Sequence, residues 1–313
     1  MAVTVRRDIY SSPALLDGVL YVTSQSLYAY DARSGALLWN FQAGDLFRGS
    51  PAVGNGMVYA ASLDGKLYAL NAKTGSPVWS KGIGIDSPTP GLANGVLYIG
   101  CAGGVMCALN ALTGATLWTQ PAAYSESAPT AVNGMVYLGG DDGNVSALDA
   151  STGPLLWSYT TRNFIFTSPA AANGVVYVGG YDHTVYALDA GTGELRWSYT
   201  TGDLVDSSPA VAYGMVYVGS NDSNLYALNA STGALVWKFT AGGGINNAPA
   251  VANGVVYVGS NDSNLYALNA NTGALLWNYK TSIIDLASTI VSNGMVFCPS
   301  DEGPVSAFHL PGQ

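Results

Sequence analysis

Tryptophan recurs along this chain at a nearly fixed interval. Trp39, Trp79, Trp118, Trp157, Trp197, Trp237 and Trp277 are separated by 40, 39, 39, 40, 40 and 40 residues. A second column is in step with it: Pro13, Pro51, Pro90, Pro129, Pro169, Pro209 and Pro249, with Thr289 in the eighth place. A period of this length is the mark of a repeat architecture, in which each unit buries its faces against its neighbours and none is stable alone. Seven repeats are full and the eighth stops before its tryptophan. Tyr217 to Ala230 is identical to Tyr257 to Ala270, which points to recent duplication or deliberate design.

Within one unit the pattern is that of strands. Around Pro249, a short apolar stretch is followed by Asn253-Gly254, a tight hairpin signal. Val255 to Gly259 reads as a buried strand, Asn261 to Asn264 as a second turn and Leu265 to Leu268 as a third strand. Asn269 to Gly273 is another turn, and Ala274 to Tyr279 a fourth strand carrying Trp277. No window holds a 3.6-residue apolar period long enough for a helix. Four antiparallel strands per repeat make a propeller blade. The expected fold is all-β: a single domain over 1–313, an eight-bladed β-propeller of four-stranded antiparallel blades. Met1 lies twelve residues before Pro13, the spacing of Trp237 from Pro249. The N-terminal strand, with Val3 and Val5 alternating with polar neighbours, is therefore expected to complete the last blade and close the ring.

The turn before the fourth strand reads Ala-x-Asp/Asn-x-x-Thr/Ser-Gly-x-x-x-Trp, from Ala29 to Trp39 through Ala267 to Trp277. This resembles the tryptophan-docking repeat of the pyrroloquinoline-quinone-like (PQQ-like) propeller family, over essentially the whole chain. The resemblance implies that each indole packs on the neighbouring blade, so the seven tryptophans are expected to be blade locks and not a stacking platform for a ligand. The family includes quinone-dependent alcohol dehydrogenases, BamB-type scaffolding lipoproteins of outer-membrane assembly, and sensor domains. The dehydrogenases imply calcium, a catalytic Asp and a ring made by two adjacent cysteines. Here Cys101, Cys107 and Cys298 are the only cysteines and none are adjacent. The chain also lacks a Cys-x-x-Cys-His haem site and the insertions that cover the cofactor. The resemblance is thus closer to the scaffold and sensor branches. No catalytic residue, no metal and no cofactor are expected, PQQ with calcium being the minor alternative.

Composition narrows the partners. The net charge is −9 with eleven Lys and Arg spread over the chain, which gives no basic patch for nucleic acid or anionic lipid. No apolar stretch near Met1 reads as a signal peptide and none as a membrane-inserting helix. An extracytoplasmic home is implied by the resemblance alone. Cys101 and Cys107 flank one hairpin, which leaves a local bridge open, though ordinary strand residues are the simpler reading. Asp64, Asp142, Asp182, Asp222 and Asp262 recur once per blade and read as hairpin-turn residues, since calcium needs several oxygens in one loop. His183 and His309 have no partner at motif spacing.

Comparing repeats with each other locates the difference between them. Three residues before the proline column stand Tyr10, Arg48, Ser87, Glu126, Phe166, Asp206, Asn246 and Leu286, eight different side chains. The preceding column, which includes Phe47, Asp86, Ile165, Val205 and Ile245, varies as well. In a propeller these lie where the chain enters the channel-lining strand. The candidate ligand-binding ring is Tyr10, Arg48, Asp86, Glu126, Phe166, Asp206 and Asn246, with Phe47 as a further anchor. The alternative is drift at exposed loop positions. The expected function is a non-enzymatic, monomeric scaffold that binds a protein or peptide through one face. Its rivals are a sensor domain of a larger receptor with a small ligand at the channel mouth, a PQQ-dependent oxidoreductase, and a repeat protein with no evolved ligand.

Overall fold

The structure, a computed structural model, describes residues 2–3, 11–84, 89–122, 127–281, 287–292, 294–300 and 305–309. Eight four-stranded antiparallel sheets are arranged as a propeller, and the described residues contain no helix. Blade 5 is representative. Its strands are Ala170–Ala172, Val175–Gly179, Thr184–Asp189 and Leu195–Thr200, paired in chain order. The first two are joined by Asn173-Gly174, both at positive φ (51° and 76°), the conformation of a type I′ hairpin turn. Between the third and fourth strands of blades 1 to 7 the register shifts by a bulge, in blade 5 between Ala187 and Leu188. The added twist turns the fourth strand as it reaches its tryptophan.

The first strands lie beside one another around the central axis. The interior is a set of apolar inter-blade layers. Between blades 5 and 6, Tyr177, Val185, Ala187, Trp197 and Val205 pack on Val216, Val218, Tyr226 and Leu228. Between blades 8 and 1, Met295, Phe297 and Val305 pack on Leu20, Val22 and Tyr30.

Closure follows the expected route. The N-terminal strand Ala2–Val3 pairs with the C-terminal strand Val305–His309, with Ala2 opposite Ser306 and Val3 opposite Val305. It fills the outer edge of blade 8, where an unpaired row of backbone groups would otherwise face solvent. A second, inner closure is made by side chains. The residue just before the proline column is a serine or threonine in six of eight repeats. Its hydroxyl oxygen accepts the amide of the same position one blade back: Ser12 N–H to Ser50, Ser50 to Thr89, Ala128 to Ser168, Ser168 to Ser208, Ala248 to Ser288 and Ser288 to Ser12, at 2.9–3.2 Å. Ala128 and Ala248 interrupt the circle because they offer no acceptor. Deleting residues 1–7 removes the outer closure and leaves the inner one. The expected result is a folded propeller with a melting temperature lower by on the order of 5 °C; an unchanged melting curve would rule out a stabilising role for the N-terminal strand.

Candidate functional site

The connection into each first strand and the turn between the second and third strands share one face, here termed upper. Of the candidate ring, Arg48 is exposed and Phe166, Asp206 and Asn246 are half-buried on that face, while Tyr10, Asp86 and Glu126 lie outside the described residues. The preceding column behaves differently, which corrects one expectation. Phe47 is 2% exposed, set in the core with its ring edge-on to Tyr68, and is no surface anchor. Ile165, Val205 and Ile245 are fully buried. The reason is strand parity: in an extended segment neighbouring side chains point opposite ways, so position 48 faces out because position 47 faces in. The inward residue needs room on the blade before it. A Cβ on Gly139, Gly179 or Gly219 would come within 2.3 Å of Ile165, Val205 or Ile245, which explains the recurring glycine at the end of the second strand.

Blade 5 differs from its neighbours on the upper face. Phe164, 46% exposed, lies 5.6 Å from Phe166, which meets Tyr181 edge-on at 4.9 Å. The Tyr181 amide donates to the Phe164 carbonyl, tying the turn to the incoming connection. Blade 6 has Leu204 and Asn221 at the places of Phe164 and Tyr181, and blade 7 has Gly244 and Asn261. Arg162 and His183 stand two residues from Phe164 and Tyr181 in the chain, and His183 Nε2 is 3.9 Å from Asp203. The three rings form an aromatic cluster on the upper face of blade 5.

The recurring turn aspartates serve the fold. Asp64, Asp182, Asp222 and Asp262 each accept the phenol of the tyrosine four residues on, at 2.5–2.6 Å. The same carboxylates accept the amides of Gly44, Arg162, Gly202 and Gly242 from the connection entering the blade. Burial pushes the Asp64, Asp222 and Asp262 carboxyls up, but the donated hydrogen bonds outweigh it and hold them below the ordinary range. Asp142 has Ser146 in place of the tyrosine and bonds Asn144 instead.

Each described tryptophan of blades 1 to 6 reaches into the next blade. The indole N–H of Trp39, Trp79, Trp118, Trp157, Trp197 and Trp237 donates to the carbonyl of Ala72, Ala111, Ala150, Ala190, Ala230 and Ala270, at 2.9–3.1 Å. In five of these interfaces a tyrosine hydroxyl of the same blade donates to the same carbonyl. The indole face covers the glycine of the neighbour's Thr-Gly turn so closely that a Cβ there would come within 2.9 Å of the ring. Trp277 lies against Phe308 of blade 8.

The cysteines depart from the simpler sequence reading. Cys101 and Cys107 form a disulfide, because a tight turn brings their adjacent antiparallel strands to a Cα separation of 6.1 Å. Cys298 is buried and unbridged, its thiol pushed up to about 12 by burial. The disulfide closes a hairpin across six residues, and the cysteines do not supply the adjacent-residue ring that the quinone site of the dehydrogenases would require. Among the described residues no three His, Cys, Asp or Glu side chains converge in a metal-binding group. A cavity of about 120 Å³ between blades 4 and 5, lined by Asn133, Tyr137 and Asn173 on the lower face, is small beside typical ligand pockets.

Fold and repeat together define an eight-bladed propeller of tryptophan-docked, PQQ-type repeats. The chain belongs to the family described as outer membrane protein assembly factor BamB, whose model matches residues 3–125, 102–212, 165–234 and 201–310. BamB from Moraxella catarrhalis superposes with a TM-score of 0.84 at 21% identity, over 98% of each chain. The computationally designed Ika8 protein superposes at 0.86 with 19% identity, again over 98% of each. Among curated proteins, the 1-butanol dehydrogenase (cytochrome c) of Thauera butanivorans is 36% identical over 93 residues, 26% of this chain and 14% of that protein.

Proposed function

We propose that this propeller is a non-enzymatic scaffold that binds a protein or peptide partner of an outer-membrane assembly system through its upper face. The reading rests on the Phe164–Phe166–Tyr181 cluster with Phe164 exposed at its edge, where blade 6 carries Leu204, Asp206 and Asn221 and blade 7 Gly244, Asn246 and Asn261. Aromatic side chains beside charged ones are the usual anchors of protein interfaces. Arg48, Asp206 and Asn246, together with Tyr10 and Glu126 of the same column, are proposed to supply the polar rim. The protein is proposed to act as a monomer in an extracytoplasmic compartment. Family membership supports this, as does the Cys101–Cys107 bridge, since such bridges persist where the milieu is oxidising.

The dehydrogenase reading has one observation in its favour, the local identity to quinone enzymes. That match is 93 residues long, little more than two repeats, so the shared blade pattern accounts for it without a shared cofactor site. The test places a photo-crosslinking residue at position 164 on the upper face and, in a second variant, at position 213 on the lower face. The upper position should give a discrete protein adduct in cells and the lower one none. Replacing Phe164 and Phe166 by alanine should weaken binding of the captured partner by roughly 30-fold or more. Adducts from the lower face alone, or strong thermal stabilisation by PQQ with calcium, would overturn the scaffold reading.

A further inference from the structure

The upper-face hairpins of blades 2, 6 and 7 are fastened by three side chains each. The turn aspartate accepts the tyrosine phenol four residues on and an amide of the incoming connection. Two residues before that aspartate, Ser62, Ser220 or Ser260 donates its hydroxyl to a carbonyl of the same connection. One triad thus ties the second strand, the third strand and the chain entering from the blade before. Blade 5 keeps the Asp182–Tyr186 pair, with Gly180 in the serine place.

Blade 3 has lost all three members together. Aligned on Ala108, the serine position is Cys101, the aspartate position Gly103 and the tyrosine position Cys107. Among the ties to the incoming chain there, Ala102 N–H to the Ile83 carbonyl is a backbone bond. The disulfide joins two of the three vacated positions and spans the same pair of strands. Cys107 is 6% exposed within the layer between blades 2 and 3, whereas Cys101 is only half-buried and adjoins the exposed residues 102–104.

We propose that the Cys101–Cys107 bridge is a redox-sensitive clasp that replaces the Ser–Asp–Tyr triad, so that a dithiol reductant loosens this corner of the upper face. A thiolate of the dithiol attacks the more accessible Cys101 Sγ. The bond to Cys107 breaks, its electron pair leaves on Cys107 Sγ, and that sulfur takes a proton. The second thiolate of the dithiol then attacks its own partner sulfur in the mixed disulfide and releases Cys101. Two electrons pass to the protein and the dithiol becomes a cyclic disulfide. This inference does not depend on the identity of the partner.

The test compares the oxidised full-length protein with the same protein in dithiothreitol, with reduction followed by intact mass. On reduction, amide hydrogen exchange should rise at least about tenfold in residues 99–107 and stay unchanged in the matching hairpin of blade 5. The melting temperature should fall by a few degrees, on the scale expected for opening a short covalent loop. A Cys101→Ser, Cys107→Ser variant should match the reduced wild type with or without reductant. Tyr186→Phe should lower the melting temperature by the same amount in both redox states. Complete reduction with unchanged exchange and melting would overturn the proposal. So would a double-serine variant that still responds to dithiothreitol.

Discussion

Trp237→Ala is expected to lower the melting temperature by on the order of 10 °C while leaving upper-face binding intact. The indole is 8% exposed and lies 5.8 Å from the Tyr217 ring. It covers Gly273 of blade 7 and donates to the Ala270 carbonyl at 2.9 Å. Truncation opens a cavity between two blades, a loss of about 3–5 kcal/mol for a buried aromatic. The carbonyl itself is not stranded, because the Tyr217 hydroxyl also donates to it at 3.1 Å. Most of the loss is therefore packing, and Trp237→Phe should recover more than half of it. Gly273→Ala gives an independent check. It adds a Cβ 2.6 Å from the ring and forces a side chain onto a residue with φ of 70°. Combined with Trp237→Ala the clash disappears and only the backbone strain persists, so the double variant should be less destabilised than the sum of the two. If the tryptophan row were instead a ligand platform, binding would fall and the melting curve would barely move.

The fold was legible because its period is written in residues that have no other reason to be spaced so evenly. Trp and Pro columns gave the blades, and the offset of Met1 from Pro13 gave the closing strand now seen opposite Val305–His309. What escaped was information carried between repeats. The inner hydrogen-bonded circle depends on Ser12, Ser50, Thr89, Ser168, Ser208 and Ser288, and a serine before a proline looks like any loop serine. The burial of Ile165, Val205 and Ile245 had a readable signal in Gly139, Gly179 and Gly219, since each glycine makes room for the inward residue of the next blade. Four residues before the proline column, strand parity turns Phe47 into the core, although its aromatic ring in a loop suggests an anchor. The disulfide had a signal too, because Cys101 and Cys107 stand where other blades carry Ser and Tyr. Tyr213 shows the opposite case. It occupies a turn position held by Asn or Asp in the other described blades, at φ of 52°, where a bulky side chain is rare, and its hydroxyl accepts the Gly254 amide. The candidate site was legible only as variability, which marks where repeats differ and not which difference matters. The aromatic contact between Phe166 and Tyr181 needed the turn to be folded over the connection.

Alkali is expected to unfold this protein cooperatively above pH 10. Tyr21, Tyr59 and Tyr217 are almost wholly buried, and burial pushes each phenol up to about 12. At Tyr68 and Tyr266 burial and then the hydrogen bond to Asp64 or Asp262 raise the phenol to about 12, and at Tyr186 and Tyr226 the same causes raise it further. A phenol raised above its unfolded value of 10 keeps its proton in the native state where the unfolded chain has lost it. That stability is complete below pH 10 and is lost as pH rises through 12. The carboxyls have the opposite sign. Asp64, Asp222 and Asp262 are held below 3.8, so their contribution is present above that pH and is lost as pH falls through their native values. Stability should therefore be flat between about pH 5 and 9 and fall far more steeply on the alkaline side, where many coupled phenols act together. Phenolate absorbance and circular dichroism recorded in one alkaline titration provide the measurement. A large share of the tyrosine signal should appear only with the loss of β-structure, and should return together with it on reversal. Phenols that all ionise at the free value while the β-signal persists would show that the inter-blade tyrosines are not held as buried donors.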